Sequence, residues 1–285
     1  MEITGHTKIV GVIGWPLTYT LSPTMHNAAI EKAGLDFVYL AFPIHPDNLE
    51  EGVRGLRACG VRGLNVTIPH KEPVLRLMDH LSVEAQAVGA VNTIRMDDEG
   101  MWGGNTDVYG FTAALLDVGF ALSGKRVAIA GAGGAGRAIA AAALLEEAAE
   151  VAIWDIEPKR TERLVSDFGK APMPAGRLVH CADRTEQLAA LSRCHLFVNA
   201  SPVGMKPSDP SPIDISLLSE GGMVFDAVYN IPETTLLRQA RERGLPTLGG
   251  LTMLMHQGAR SFEIWFGVKP DTDLMLAKLR ERLGR

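Results

Sequence analysis

The sequence predicts an α/β protein of two domains, at least one of them doubly wound on a mostly parallel sheet. Three observations carry this expectation. Short apolar runs of strand length alternate with segments of helical period. A G-x-G-x-x-G turn, Gly131 to Gly136, leads from an apolar run into an alanine-rich helix. The chain has 285 residues, 46% of them apolar, which is more than one compact core needs and enough for two.

In chain order, the strand candidates are Ile9–Ile13, Phe37–Ala41, Gly63–Val66, Val91–Ile94, Val127–Ala130, Val151–Trp154, Leu196–Asn199 and Met223–Asp226. Each is a short β-branched or aromatic run bounded by Gly, Pro or polar residues. The helix candidates between them are Thr24–Ala33, Asn48–Cys59, Lys71–Met78, Thr106–Val118, Ala135–Glu147, Pro158–Phe168 and Thr234–Arg243. The Pro/Ser-rich stretch from Met205 to Pro212 reads as a surface loop. From Leu251 to Leu283 the pattern is helical, broken at Gly267–Pro270. Domain boundaries are expected near Asn105–Val108 and Gly249–Leu251, dividing the chain into 1–107 with 250–285, and 108–249.

Composition excludes several classes of partner. A net charge of −5 leaves no basic footprint for nucleic acid or an anionic membrane. No basic n-region with a long apolar stretch opens the sequence, and the apolar run Ala138–Leu145 is too short to span a bilayer. Three cysteines, Cys59, Cys181 and Cys194, form neither a CxxC site nor a disulfide framework and read as small buried or half-buried residues. A reducing cytoplasm is the expected location. His26, His45, His70, His80, His180 and His256 lack metal-ligand spacing, so no metal site is expected.

The glycine turn is the most specific local motif. Val127–Ala130 runs straight into Gly131-Ala132-Gly133-Gly134-Ala135-Gly136. Gly131 permits the tight turn, Gly133 lets the backbone approach a pyrophosphate, and Gly136 lets helix and strand pack closely. The helix N-terminus supplies N–H groups for phosphate. The next strand ends in Asp155, about twenty residues on, where a ribose-binding acid belongs. Strand, turn, helix and acid together read as a Rossmann-type dinucleotide site. Asp155 accepts hydrogen bonds from a ribose diol and repels a 2′-phosphate, which favours NAD. Lys159 and Arg160, nearby, keep NADP possible.

Three polar clusters precede that motif. In Thr20-Leu-Ser22-Pro23, Ser22 reads either as a helix N-cap or, with Thr20, as part of a carboxylate site. In Asn65-Val-Thr67-Ile-Pro69-His70-Lys71 the polar residues alternate, and Lys71 reads as an exposed turn lysine or a cleft residue. Asn92-Thr93 is followed by Gly104-Asn105-Thr106-Asp107, where Asp107 reads as a helix-start carboxylate.

In sequence these motifs resemble the shikimate dehydrogenase family over essentially the whole chain. The stretch Gly14 to Asn27, Asn65 to Lys71, Gly89 to Thr93, Gly103 to Asp107, Gly131 to Arg137, Asn199 to Met205, Asp226 to Tyr229 and Gly249 to Gly258 stand where the family's motifs stand. The resemblance implies an N-terminal α/β substrate domain, a Rossmann-type cofactor domain, and C-terminal helices that return to the first. It implies reversible oxidation of shikimate to 3-dehydroshikimate with NAD or NADP. Lys71 and Asp107 would be the catalytic pair. Thr20 and Ser22 would hold the substrate carboxylate. Asn65, Thr67, Asn92 and Gln257 would bind hydroxyls or order the pair, with Tyr229 near substrate and cofactor. Gly131, Ala132, Gly133, Gly134, Ala135, Asp155, Ala200 and Gly250 would contact the cofactor. The partner would be a small molecule, shikimate or quinate, bound by a monomer or homodimer.

Three departures stand out. Thr20 replaces a serine, Tyr19 replaces a common histidine, and Asp155-Ile156-Glu157 replaces the usual N-R-[ST] that grips the NADP phosphate. The first two leave substrate choice open, and the third pulls toward NAD-dependent quinate/shikimate dehydrogenation as the alternative activity. A silent NAD-binding sensor is the remaining reading, and the presence of both Lys71 and Asp107 argues against it.

Overall fold

A computed structural model describes residues 2–170 and 177–284. The elements run β1 Lys8–Gly14, α1 Ser22–Lys32, β2 Phe37–Pro43, α2 Leu49–Ala58, β3 Gly63–Val66, β4 His80–Leu81, α3 Val83–Val88, β5 Thr93–Asp97, β6 Gly100–Gly104 and α4 Thr106–Leu116. They continue as β7 Arg126–Ala130, α5 Gly134–Leu145, β8 Glu150–Trp154, α6 Pro158–Phe168, β9 Arg177–His180, α7 Arg184–Arg193, β10 Leu196–Asn199, β11 Met223–Asp226, α8 Thr235–Glu242, β12 Thr247–Gly249, α9 Gly250–Phe266 and α10 Thr272–Arg282. The α/β class expected from the sequence is the class observed.

The chain forms two compact units. The first runs to Gly110 and resumes at Met255; the second is Phe111–Leu254. Both changes of unit fall inside a helix, α4 and α9.

The first unit holds a mixed sheet of order β2-β1-β3-β5-β6-β4. β1 pairs parallel with β2 and β3, while β5 lies antiparallel between β3 and β6. β1 and β3 are apolar on nearly every residue because both faces of the sheet are covered. One face packs Ile13, Val53, Leu64, Val74, Val91 and Ile94 into a core. The C-terminal helix α10 packs on α1.

The second unit holds an all-parallel sheet of order β9-β8-β7-β10-β11-β12. That is the doubly wound order of a Rossmann fold, with its switch point between β7 and β10. Phe197, Leu191, Val224 and Leu236 lie in its core.

Several local expectations are corrected. The segment expected as a helix over Lys71–Met78 is a short 3-10 helix at Pro73–Leu77, ended by Met78 in an extended conformation. The strand expected at Val91–Ile94 begins at Thr93 and pairs with β6, a hairpin partner that its three glycines hid. Ser22 is no N-cap: Leu21 holds that position and makes no side-chain cap bond. Cys59 is exposed, whereas Cys181 and Cys194 are buried. Among the described residues no helix is long and apolar enough to cross a membrane, and no cluster of acidic, His or Cys side chains could hold a metal.

Candidate active site

In the first unit, the end of β3 and the turn after it set out Asn65, Thr67 and Lys71. The turn is pinned from both sides: the Thr67 N–H donates to Ile13 O at 2.9 Å, and the Val91 N–H donates to Lys71 O at 2.8 Å. The imidazole of His70 bonds Ile44 O at 2.7 Å, fixing the residue before Lys71. From the other direction, Asn105 opens α4: its Nδ2 donates to Ala90 O at 2.9 Å and its Oδ1 accepts the Asp107 N–H at 3.1 Å. The cap at this helix start is therefore made by Asn105, which leaves the Asp107 carboxylate available for other partners.

Those partners are Lys71 and Asn92. Lys71 Nζ donates to Asp107 Oδ2 at 2.6 Å, with side chains 14% and 8% exposed. Asn92 Nδ2 donates to Asp107 Oδ1 at 2.9 Å. A pair so nearly buried needs such extra bonds, since removing either charge would strand the other away from water. The second carboxylate oxygen is thus held by an amide whose orientation is itself fixed: Asn92 Oδ1 accepts the backbone N–H of Thr106 at 2.7 Å. Gln257 Oε1, on α9, lies 3.4 Å from Asn92 Nδ2. Lys71, Asp107, Asn92 and Gln257, widely separated in sequence, therefore meet in one cluster.

Asn65 is buried and its amide is spent on protein groups. Its Oδ1 accepts the Tyr39 hydroxyl at 2.8 Å, and its Nδ2 donates to Ser261 Oγ at 2.9 Å. Thr67, half-buried, directly follows β3. Thr20 and Ser22 are adjacent, with the Ser22 N–H 3.4 Å from Thr20 Oγ1. No hydrogen bond joins Thr20 or Ser22 to the Lys71–Asp107 cluster among the described residues. Sequence reasoning missed Tyr39, Thr106 and Ser261, and gave Thr93 no role. Ser261 sits one helical turn after Gln257, and that spacing was the available signal.

In the second unit, the glycine turn stands at the switch point. Gly131 has φ +106°, and a Cβ there would lie 2.7 Å from the Ala200 backbone at the end of β10. A Cβ on Gly136 would lie 2.0 Å from Gly131 O. At Gly133 a Cβ would meet nothing within 4 Å, so the backbone there is open to close approach. Gly133 caps α5 without a side-chain bond, so the first-turn N–H groups have no such cap. An open backbone and uncapped N–H groups at a helix start fit the pyrophosphate of a dinucleotide. A Cβ on Gly250, at the start of α9, would lie 2.3 Å from Ala227 O.

Asp155 directly follows β8 and braces the turn: Oδ2 accepts the Ala132 N–H at 2.8 Å and Oδ1 the Glu157 N–H at 3.0 Å. Ile156 beside it is 98% exposed. Arg160 is paired with Glu157 at 3.0 Å. Asp226, wholly buried, accepts from Asn199 Nδ2 at 2.9 Å, the Thr234 hydroxyl at 2.6 Å and the Val228 N–H at 3.1 Å. Burial pushes its pKa up, against the pull of those donors. This carboxylate ties the β10 and β11 ends to the loop carrying half-buried Tyr229.

Comparison with known proteins finds relatives along the whole chain. A family model described as the shikimate dehydrogenase substrate binding domain matches residues 12–94, and the shikimate 5'-dehydrogenase C-terminal domain matches 250–280. The chain is 41% identical over 273 residues to shikimate dehydrogenase (NADP(+)) of Symbiobacterium thermophilum, covering 95% of this chain and 93% of that one. It superposes on shikimate 5-dehydrogenase from Listeria monocytogenes, solved with shikimate and NAD, at TM-score 0.88 and 37% identity, with 98% of each chain covered. It also superposes on quinate dehydrogenase from Corynebacterium glutamicum, solved with NAD, at TM-score 0.87 and 31% identity, with 96% and 99% covered.

Proposed function

The chain belongs to the shikimate dehydrogenase family, and from that premise we propose how its residues divide the work. The protein oxidises shikimate reversibly to 3-dehydroshikimate with a nicotinamide dinucleotide. A secondary alcohol becomes a ketone by losing a hydride from carbon and a proton from oxygen. The dinucleotide, when bound, supplies the hydride acceptor. The chain must supply the proton acceptor and the positioning.

Lys71 and Asp107 form the proton-transfer pair. The observation that carries this is the 2.6 Å contact between Nζ and Oδ2 inside a nearly closed polar cluster. For oxidation the Lys71 ammonium must first give up a proton; the neutral amine then takes the hydroxyl proton as the carbon gives up hydride, and the ammonium returns it in reduction. Asp107 orients the amine, and Asn92 stops the carboxylate from rotating. Thr20 and Ser22 hold the substrate carboxylate. Thr67 and Gln257 bind the ring hydroxyls, while Asn65 and Asn92, their amides already satisfied, order the cluster. Substrate belongs to the first unit and dinucleotide to the second, where Gly131–Ala135, Ala200 and Gly250 hold it and Tyr229 approaches the reacting end.

NAD is the preferred cofactor. Asp155 sets a carboxylate at the ribose position, and its two bonds to backbone N–H groups lock it there. Each oxygen keeps a further lone pair for a ribose diol. A 2′-phosphate would meet that carboxylate, an exposed isoleucine, and an arginine already paired with Glu157. Similar proteins include ones named for NADP(+) and ones solved with NAD, so the preference proposed for this chain rests on Asp155.

Quinate is the second reading. It is favoured by Thr20, whose extra methyl alters the carboxylate end, and by the NAD-bound quinate dehydrogenase of similar fold. One assay decides both questions: kcat/KM for shikimate and quinate, each with NAD and NADP. Shikimate with NAD is expected to give the largest value. A larger value with NADP would remove the role given to Asp155, and a larger value with quinate would make that the main substrate.

A further inference from the structure

Behind the Lys71–Asp107 pair lies a chain of buried polar groups that substrate does not need to touch. Most of its directions follow from groups that can only donate or only accept. Asn92 Oδ1 faces the Thr106 N–H at 2.7 Å, so that atom is the oxygen, and Nδ2 faces Asp107. Thr93 Oγ1 lies 2.9 Å from the same Asn92 Oδ1 and gives its single proton there. The single proton of Ser261 is shared between Thr93 Oγ1 at 2.8 Å and Gln257 O at 3.0 Å. Ser261 in turn accepts from Asn65 Nδ2 at 2.9 Å. The Asn65 nitrogen is identified by its approach to the Asn92 carbonyl at 3.4 Å, which leaves Oδ1 to accept from the Tyr39 hydroxyl at 2.8 Å.

A continuous series of hydrogen bonds therefore runs from Tyr39 through Asn65, Ser261, Thr93 and Asn92 to Asp107. All six residues are buried, Tyr39, Thr93 and Ser261 almost completely. Hydrogen bonds in such a series polarise one another, and a group left unmatched in it has no water to turn to. The head of the series is braced as well. The His26 ring stacks face to face on Tyr39, centroids 4.4 Å apart and planes within 1°.

We propose that this buried relay is a positioning device for the reaction, with Ser261 and Tyr39 as positioning residues. It fixes the Asn92 amide, which fixes the Asp107 carboxylate, which aims Lys71. Ser261 brings α9 into this arrangement. Its hydroxyl lies 3.0 Å from Gln257 O, so the same residue sets the turn that presents the Gln257 side chain. The proposal rests on the assignment of Lys71 and Asp107 as the proton-transfer pair.

The test uses the full-length enzyme as Tyr39→Phe, Ser261→Ala, the double variant and, as reference, Lys71→Ala. Steady-state shikimate oxidation and thermal midpoints are measured for each. The relay predicts that each of the first two lowers kcat by about tenfold, the size of one buried hydrogen bond. KM for shikimate should stay within about twofold, because an interaction realised in the transition state is what is lost. In the double variant kcat should fall little below the worse single variant, because both cut one series. A merely structural role would lower the midpoint, leave kcat near wild type, and make any losses multiply; that pattern overturns the proposal. Tyr39→Phe keeps the ring and its stack, so it decides the matter alone if Ser261→Ala does not fold. Lys71→Ala separates the two claims. If it turns over normally, the pair assignment fails; if it is inactive while folded Tyr39→Phe is normal, only the relay fails.

Discussion

His26 shows how one buried side chain ties the first unit's packing to solvent conditions. Burial lowers its pKa from 6.5 to about 3, so the imidazole stacked on Tyr39 is neutral across ordinary pH. Neither ring nitrogen has a hydrogen-bond partner, so a proton added there would be stranded. The unfolded chain takes up that proton below about 6.5, and the fold does so only near 3. Stability is therefore complete above 6.5 and is lost as pH falls toward 3, at about 1.4 kcal/mol per unit from this residue. Urea unfolding of wild type and His26→Leu at pH 7 and pH 5 should show the wild type losing about 2 kcal/mol more over that interval. Parallel slopes would mean His26 is not the source. Residues of this kind are poorly legible in sequence. His26 reads as one of several unremarkable histidines, and Lys71 as an exposed turn lysine, until the neighbours that bury them are known. Asp107 reads as a helix cap because its own environment is set by Asn105, two residues earlier, and by Asn92 on another element. Family resemblance singled out Lys71 and Asp107 where local pattern did not, and it was silent on Ser261.

At the level of elements, the β7–α5 turn depends on contacts that leave no room for a side chain. A methyl on Gly136 would press on Gly131 O, so Gly136→Ala must push α5 away from β7. Such overpacking costs about 1–3 kcal/mol. Titrating that variant with NAD should show binding weakened by about tenfold or more, with a lowered thermal midpoint; unchanged affinity would remove the turn from the cofactor site. This turn was legible because strand, glycines, helix and Asp155 lie within a single stretch of chain. Elements whose identity depends on distant partners were not. The β5–β6 hairpin carries glycines that look like a loop, yet Gly103 pairs with Ile94 and Gly104 with Thr93. Helix α7, with its Asp183 cap accepting the Glu186 N–H, and strand β9 are polar enough to read as surface connection. The expected helix after Lys71 is only a short 3-10 segment, and the Val91 N–H pairs with Lys71 O across it.

On the scale of the whole molecule, the chain leaves its first unit at Gly110 and returns at Met255. That return brings Gln257 and Ser261 to residues more than 150 positions earlier. Alternation of strand and helix was enough to anticipate the α/β class, but not the mixed order of the first sheet, which arises from pairings that periodicity does not encode. The central claim is that the cluster assembled by this return performs the proton transfer of shikimate oxidation. Its most direct test is turnover of shikimate by Lys71→Ala with NAD and with NADP, alongside calorimetric binding of shikimate to the same variant. General acid–base groups contribute about 10²–10⁴ in rate. The account predicts kcat reduced by at least about a hundredfold with either cofactor while shikimate still binds. Near-normal turnover in a folded Lys71→Ala enzyme would contradict it.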